Sequence, residues 1–247
     1  MSILIAADKN ISNIESLCDG WAKLQTFEGR CVNSFELSEA NALLVRSITQ
    51  VNQELLEGSK IKFVGSATIG CDHIDLAYLQ QQKIQFDYAP GCNANAVVDY
   101  VLSVLLSRYS DSQLAEISVG VVGCGNVGTK LVASLQHFNI DHTVYDPLIN
   151  QDSSLVGNDL RLSKTFDELL SHDVISFHVP LERGGAYPTY HMANEKWLSQ
   201  LKENAVLINT SRGAVVNHSA INTRLKGRNS WYNALHLWQS QPSIDIS

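Results

Sequence analysis

Ile117-Ser118-Val119-Gly120-Val121-Val122-Gly123-Cys124-Gly125-Asn126-Val127-Gly128 is the stretch on which the fold turns. Its first half, rich in β-branched side chains, suits a buried strand, and it runs directly into G-x-G-x-x-G. Beyond the glycines, Val127, Leu131, Leu135 and Phe138 recur on one helical face, so the loop stands between a strand and a helix. In that setting each glycine has a task. Gly123 permits the tight turn, Gly125 lets the backbone approach a pyrophosphate, and Gly128 lets the helix pack closely on the strand. The helix start at Asn126 and Val127 offers N–H groups and positive dipole to phosphates. An acid closing the next strand about 20 residues on should hold the adenosine ribose hydroxyls, and Asp146 stands there in Val144-Tyr145-Asp146-Pro147. A carboxylate at that point repels a 2′-phosphate, so NAD is expected rather than NADP.

On both sides of this stretch short apolar runs alternate with segments of helical period, the pattern of βαβ units and a parallel sheet. Strands are expected at Ile3 to Ala6, Ala42 to Val45 and Ile61 to Val64, and then at Ser118 to Val122, Thr143 to Tyr145, Val174 to His178, Ala205 to Asn209 and Tyr232 to Leu237. Between Cys92 and Arg108, Val97, Val98, Val101, Leu102, Leu105 and Leu106 form a stripe that reads as a helix joining two domains. The predicted architecture is α/β: a flavodoxin-like domain over residues 1–96 and a Rossmann doubly wound parallel sheet over 97–247. The polar spans Asn150 to Asn158 and Glu182 to Thr189 read as surface loops.

A chain of 247 residues, 45% apolar and 17% charged, accommodates two domains of ordinary size, each with a core. The formal charge of −7 and the lack of a Lys/Arg run argue against nucleic-acid or anionic-membrane surfaces. Small molecules are the expected partners. No run reaches the ~18 apolar residues of a membrane span. The five cysteines, Cys18, Cys31, Cys71, Cys92 and Cys124, form no C-x-x-C pair and are odd in number, so neither a metal site nor a disulfide framework is indicated. With no signal-peptide pattern at the amino terminus, a cytoplasmic location is expected.

Further motifs carry a likeness to a known family. Ala89-Pro90-Gly91-Cys92-Asn93-Ala94-Asn95-Ala96-Val97-Val98-Asp99-Tyr100, Val119 to Gly128, His178-Val179-Pro180-Leu181 and Leu207-Ile208-Asn209-Thr210-Ser211-Arg212-Gly213-Ala214-Val215-Val216 resemble, in order, the motifs of the D-2-hydroxyacid dehydrogenases. Leu44-Val45-Arg46-Ser47-Ile48-Thr49-Gln50-Val51-Asn52 and Phe63-Val64-Gly65-Ser66-Ala67-Thr68-Ile69-Gly70-Cys71-Asp72-His73-Ile74-Asp75 are similar to that group's erythronate-4-phosphate dehydrogenase branch. The resemblance implies NAD-dependent oxidation of 4-phospho-D-erythronate, a small phosphorylated 2-hydroxy acid, on the route to pyridoxal phosphate. Other readings are a dehydrogenase of another D-2-hydroxy acid and a non-catalytic NAD- or phosphosugar-binding protein.

Oxidising a 2-hydroxy acid needs a cation for the carboxylate and a base for the hydroxyl proton. The resemblance makes Arg212 the catalytic cation, whose planar fork matches a carboxylate. It also implies substrate contacts at Ser47 and Thr68 and cofactor contacts at Val179 and Ser211. His178 reads as structural rather than catalytic. Departures from the family come late: His236 stands at the aspartate position near the nicotinamide, and Gln241 stands at the catalytic glutamate position, bringing hydrogen-bonding capacity without charge. The family's base histidine would lie beyond Ser247, so the chain as written is expected to have little activity. The family is homodimeric, and its carboxy-terminal dimerisation region would lie there too.

Overall fold

A computed structural model of the chain describes residues 3–149, 160–225 and 232–235. The chain forms two compact units, Met1–Cys92 and Asn93–Ser247.

The first unit runs β1 (Ile3–Asp8), α1 (Ile14–Cys18), β2 (Ala22–Phe27), α2 (Ser34–Leu37), β3 (Ala42–Val45), α3 (Gln53–Leu56), β4 (Phe63–Ser66), α4 (Leu76–Gln81) and β5 (Gln85–Tyr88). All strand pairs are parallel, in the order β2-β1-β3-β4-β5, which is the flavodoxin order. The alternation along β1 shows why both faces need helices. Ala6 packs with Leu37, Leu43, Val45, Val64 and Leu79 on one face, while Ile5 and Ala7 pack with Ile14 and Cys18 on the other. Helices this short depend on their caps. Asn33 accepts from the Glu36 N–H, Asn52 from that of Leu55 and Asp75 from that of Tyr78.

Two strands were not foreseen, β2 and β5. They are the sheet edges, and Ala22-Lys23-Leu24-Gln25-Thr26-Phe27 and Gln85-Phe86-Asp87-Tyr88 carry polar residues where a buried parallel strand would be continuously apolar. The expected Ile61 to Val64 strand is displaced to Phe63–Ser66. Ile61 is buried in the core just ahead of the ladder.

In the second unit the elements are α5 (Ala94–Arg108), α6 (Asp111–Leu114), β6 (Ser118–Val122), α7 (Asn126–His137), β7 (Asp141–Tyr145), β8 (Val174–Phe177), α8 (Glu195–Gln200), β9 (Val206–Asn209), α9 (His218–Leu225) and β10 (Tyr232–Leu235). The sheet is again parallel, ordered β10-β9-β8-β6-β7. Outside β7 the chain returns for one parallel bridge, Val144 to Leu162, with Val144 N donating to Arg161 O at 2.9 Å and Ser163 N to Val144 O at 2.7 Å. Counting that bridge as a third strand reduced to its minimum, the order becomes 3-2-1-4-5-6, that of the Rossmann fold. The chain therefore reverses direction between β6 and β8, which places the ligand crevice at their carboxyl ends.

One face of this sheet buries Val119, Val121, Val144 and Ile208 against Val101 and Leu105 of α5 and Leu131 and Leu135 of α7. The other buries Val122, Ile175, Phe177 and Leu207 against Trp197, Leu198 and Ile221, with Phe166 stacked on Trp197 at 4.3 Å. Asp173 ties the strands' entrances together: it accepts from Ser118 N and Oγ at 2.9 and 2.8 Å and from Lys202 Nζ at 2.6 Å. Arg224 of α9 closes α8 by donating to the carbonyls of Leu198, Leu201 and Lys202, groups that a helix end leaves unsatisfied.

Two expected apolar positions are exposed instead. Phe138 lies one residue past α7 and is 57% exposed, and Leu106 of α5 is 62% exposed; each falls off the face that meets the sheet. Glu182 to Thr189 forms no helix or strand, while Asn150 to Asn158, His236 and Leu237 lie outside the described residues. Among the described residues no helix is long and apolar enough to cross a membrane.

Candidate functional site

The crevice begins where β6 ends. Gly123 has φ 90°, a region that disfavours side chains, and a Cβ there would sit 2.8 Å from Val179 Cγ1 and 2.9 Å from His178 O. Gly128, in the first turn of α7, is equally obligatory: a Cβ would overlap Gly123 O and lie 2.9 Å from Gly123 C. Gly125 differs from both. A Cβ on it would meet nothing within 4 Å, so its lack of a side chain is not required by the protein's own packing. That open flank, at the amino terminus of the 12-residue α7, is where a pyrophosphate can approach backbone N–H groups of Asn126 and Val127. The cradle fits a dinucleotide.

Asp146 follows β7 and docks on the same loop. One carboxylate oxygen accepts from Cys124 N at 2.9 Å and the other from Leu148 N at 3.0 Å. A carboxylate oxygen can accept more than one hydrogen bond, so both retain capacity for ribose hydroxyls. Burial, followed by the nearness of Tyr187, Asp146 and Asp167, pushes the Tyr145 phenol up. Burial also pushes the Cys124 thiol up, with Asp146 adding to the effect, so that side chain brings no thiolate to the loop.

Just past β8, Val179 lies where a side chain on Gly123 would go, and His178 N donates to Val122 O at 2.8 Å. The His178 ring lies between two hydroxyls, with Nε2 2.9 Å from Ser176 Oγ and Nδ1 3.0 Å from Thr210 Oγ1. Burial pulls its pKa down to about 3. A ring so depressed stays neutral near pH 7 and is a poor proton acceptor.

Arg212 sits three residues past the end of β9, on a turn governed by Asn209. The fully buried Asn209 side chain donates from Nδ2 to Arg212 O at 3.0 Å, and its Oδ1 accepts from Ser211 N at 3.1 Å and Ser211 Oγ at 2.6 Å. Arg212 Nη1 donates to Ser211 O at 3.0 Å. Ser211 is itself buried. Asn209 and Thr210 went unnoticed as individual residues in the sequence. Polar side chains closing an apolar strand were the available signal.

In the first unit, Ser47 and Thr68 each lie two residues past the ends of β3 and β4, whose last residues pair as Val45 and Ser66. They therefore share the carboxyl edge of that sheet. Ser47 is exposed. The Thr68 hydroxyl is within 2.8 Å of Ser66 Oγ and donates to Gly70 O at 3.4 Å, so it also shapes its own turn. His236 and Gln241 lie outside the described residues.

A 3-2-1-4-5-6 parallel sheet with a glycine loop at its reversal point and an acid beside that loop defines an NAD-binding α/β module of oxidoreductase type. Residues 104–245 match the NAD binding domain of the D-isomer specific 2-hydroxyacid dehydrogenases, and the chain belongs to that family. It is 39% identical over 99% of its length to erythronate-4-phosphate dehydrogenase of Pseudomonas putida (strain W619), and 41% identical over 98% to that of Pseudomonas syringae pv. tomato. It spans 63% of the length of each. Among solved structures it is similar to D-lactate dehydrogenase of Aquifex aeolicus complexed with NAD and lactic acid, with 25% identity, a TM-score of 0.78 and coverage of 96% of this chain and 77% of the other. The fold is also shared with NAD+-bound 3-phosphoglycerate dehydrogenase of Entamoeba histolytica, at 21% identity and a TM-score of 0.78, covering 98% and 82%.

Proposed function

We propose that this chain carries the substrate-binding and NAD-binding parts of an enzyme that oxidises 4-phospho-D-erythronate to its 2-oxo acid, in the cytoplasm, on the route to pyridoxal phosphate. The observation that carries the reading is the similarity to erythronate-4-phosphate dehydrogenases along nearly the whole chain. We assign residues 1–96 to the substrate and 97–247 to the cofactor, and take the whole protein to be a homodimer like the family.

NAD, when bound, supplies the hydride acceptor. Gly123, Gly125, Asn126, Val127 and Gly128 hold its pyrophosphate, Asp146 its adenosine ribose, and Val179 and Ser211 flank it. Arg212 pairs with the substrate carboxylate through its planar fork, fixing C2 and its hydroxyl in one orientation and supplying positive charge where the 2-oxo acid forms. The hydroxyls of Ser47 and Thr68 donate to carboxylate or phosphate oxygens. Removing the hydroxyl proton is the step for which this sequence is least equipped. A glutamate at position 241 would stabilise a protonated base through its charge, and Gln241 does not.

That substitution, with His236 at the aspartate position, favours a second reading, a non-catalytic NAD- or phosphosugar-binding protein. Substrate binding and turnover together separate the two. The purified 247-residue chain is incubated with NAD and either 4-phospho-D-erythronate, D-lactate or D-3-phosphoglycerate, and NADH is followed. The expected result is formation of NADH with 4-phospho-D-erythronate alone, at a rate reduced by roughly 10² to 10⁴ for want of an assisted base. Preference for either other acid would overturn the substrate assignment. Binding of NAD with no binding of 4-phospho-D-erythronate would favour the second reading.

A further inference from the structure

The ring of His178 joins two parts of the module that are far apart in sequence, and hydrogen-bond bookkeeping fixes how. Thr210 Oγ1 donates its single proton to Phe177 O, at 3.3 Å. With that proton so placed, the same oxygen accepts from His178 Nδ1, at 3.0 Å; this assignment, with the ring proton on Nδ1, is the one in which the Thr210, His178 and Ser176 protons all have acceptors among these groups. Nε2 is then a bare acceptor, and it takes the proton of the fully buried Ser176 Oγ at 2.9 Å. Every donor in this relay has an acceptor; a second ring proton, on Nε2, would turn Ser176 Oγ into its acceptor and take from the Ser176 proton the acceptor it has in this relay.

The main chain of the same residue holds the other side of the crevice. His178 N donates to Val122 O, and His178 O lies where a side chain on Gly123 would go. We infer that His178 is a positioning residue: an imidazole fixed as its Nδ1–H tautomer, which locks Thr210, and through it the Ser211–Arg212 turn, in register with the dinucleotide loop. The link matters because Asn209 and Thr210 both lie directly before Ser211 and Arg212 and each holds the turn by its side chain. Asn209 fixes the turn's internal shape, whereas Thr210 ties that turn to β8 and hence to the glycine loop. The inference rests on the proposed cofactor reading only for its functional consequence.

The test uses the chain labelled with ¹⁵N-histidine. Two-bond ¹H–¹⁵N spectra are recorded from pH 5 to 8, the His178 signals being those lost in His178→Asn, and NAD affinity is measured for Thr210→Val and Thr210→Ser. The expected spectrum is that of an Nδ1–H tautomer with no titration across the range, consistent with the desolvated ring. Thr210→Val, which keeps the volume but removes the acceptor, should weaken NAD binding about tenfold, and Thr210→Ser should stay within about twofold of the parent. A purely structural role would lower the melting temperature of Thr210→Val and leave its NAD affinity unchanged; that result overturns the inference. So does an Nε2–H tautomer, or a ring titrating between pH 5 and 8. If His178→Asn does not fold, the signals that shift in both Thr210 variants make the assignment. Failure of the parent chain to bind NAD counts against the cofactor reading alone, because tautomer and titration are read without it.

Discussion

Replacing Gly128 by valine is expected to lower NAD affinity at least roughly a hundredfold and to destabilise the second unit. The Cβ of any larger residue meets Gly123 O and C, and these are backbone atoms at the end of β6, which cannot rotate away. Relief requires α7 to move off the sheet, and Leu131 and Leu135, both fully buried, would be drawn with it. Overpacking of this kind costs about 1–3 kcal/mol, and displacement of a positioning element by about 1 Å is worth on the order of a hundredfold in function. Gly125→Ala is the matching control. Its Cβ enters open space, so the melting temperature should be unchanged while NAD binding still falls, because the methyl occupies the approach to the backbone. Thermal unfolding and calorimetric titration read both variants. A Gly128→Val protein with parental stability and affinity would mean that the helix does not pack as described.

The second large effect falls on Arg212. With NAD present, Arg212→Ala should weaken binding of oxalate, a minimal mimic of a 2-oxo acid, by roughly 10- to 100-fold, the equivalent of a lost charge-assisted hydrogen bond of about 1.5–3 kcal/mol. Arg212→Lys should recover only part of it, since an ammonium cannot reproduce the planar two-point contact. The turn should survive either change, because Asn209 holds the main chain of Ser211 and Arg212. Parental oxalate affinity in Arg212→Ala would remove this residue from the substrate's carboxylate.

The second sheet was legible because its strands are buried on both faces. Val119 to Val122, Val174 to Phe177 and Val206 to Asn209 are almost wholly inaccessible, and selection for burial writes a continuous apolar run that a reader can find. Edge strands carry no such mark, which is why Ala22–Phe27 and Gln85–Tyr88 escaped notice. The reduced third strand escaped for a different reason, since one bridge at Leu162 leaves no periodicity to detect. In the site, the glycine loop and Asp146 could be read because their chemistry depends on local spacing. The partnership of His178 with Ser176 and Thr210 could not, because it joins residues 32 positions apart through a contact that exists only once β8 and β9 are paired in register.

Calorimetric titration of the 247-residue chain with NAD and with NADP, repeated on Asp146→Ala, tests most directly the claim that the second unit is an NAD-binding module read through its glycine loop and Asp146. The parent should bind NAD at least roughly tenfold more tightly than NADP, for the carboxylate that accepts ribose hydroxyls also repels a 2′-phosphate. Asp146→Ala should lose affinity for NAD, by about tenfold for its hydrogen bonds, and should close the gap with NADP. Equal affinities in the parent, or an Asp146→Ala chain that still prefers NAD to the same degree, would contradict it.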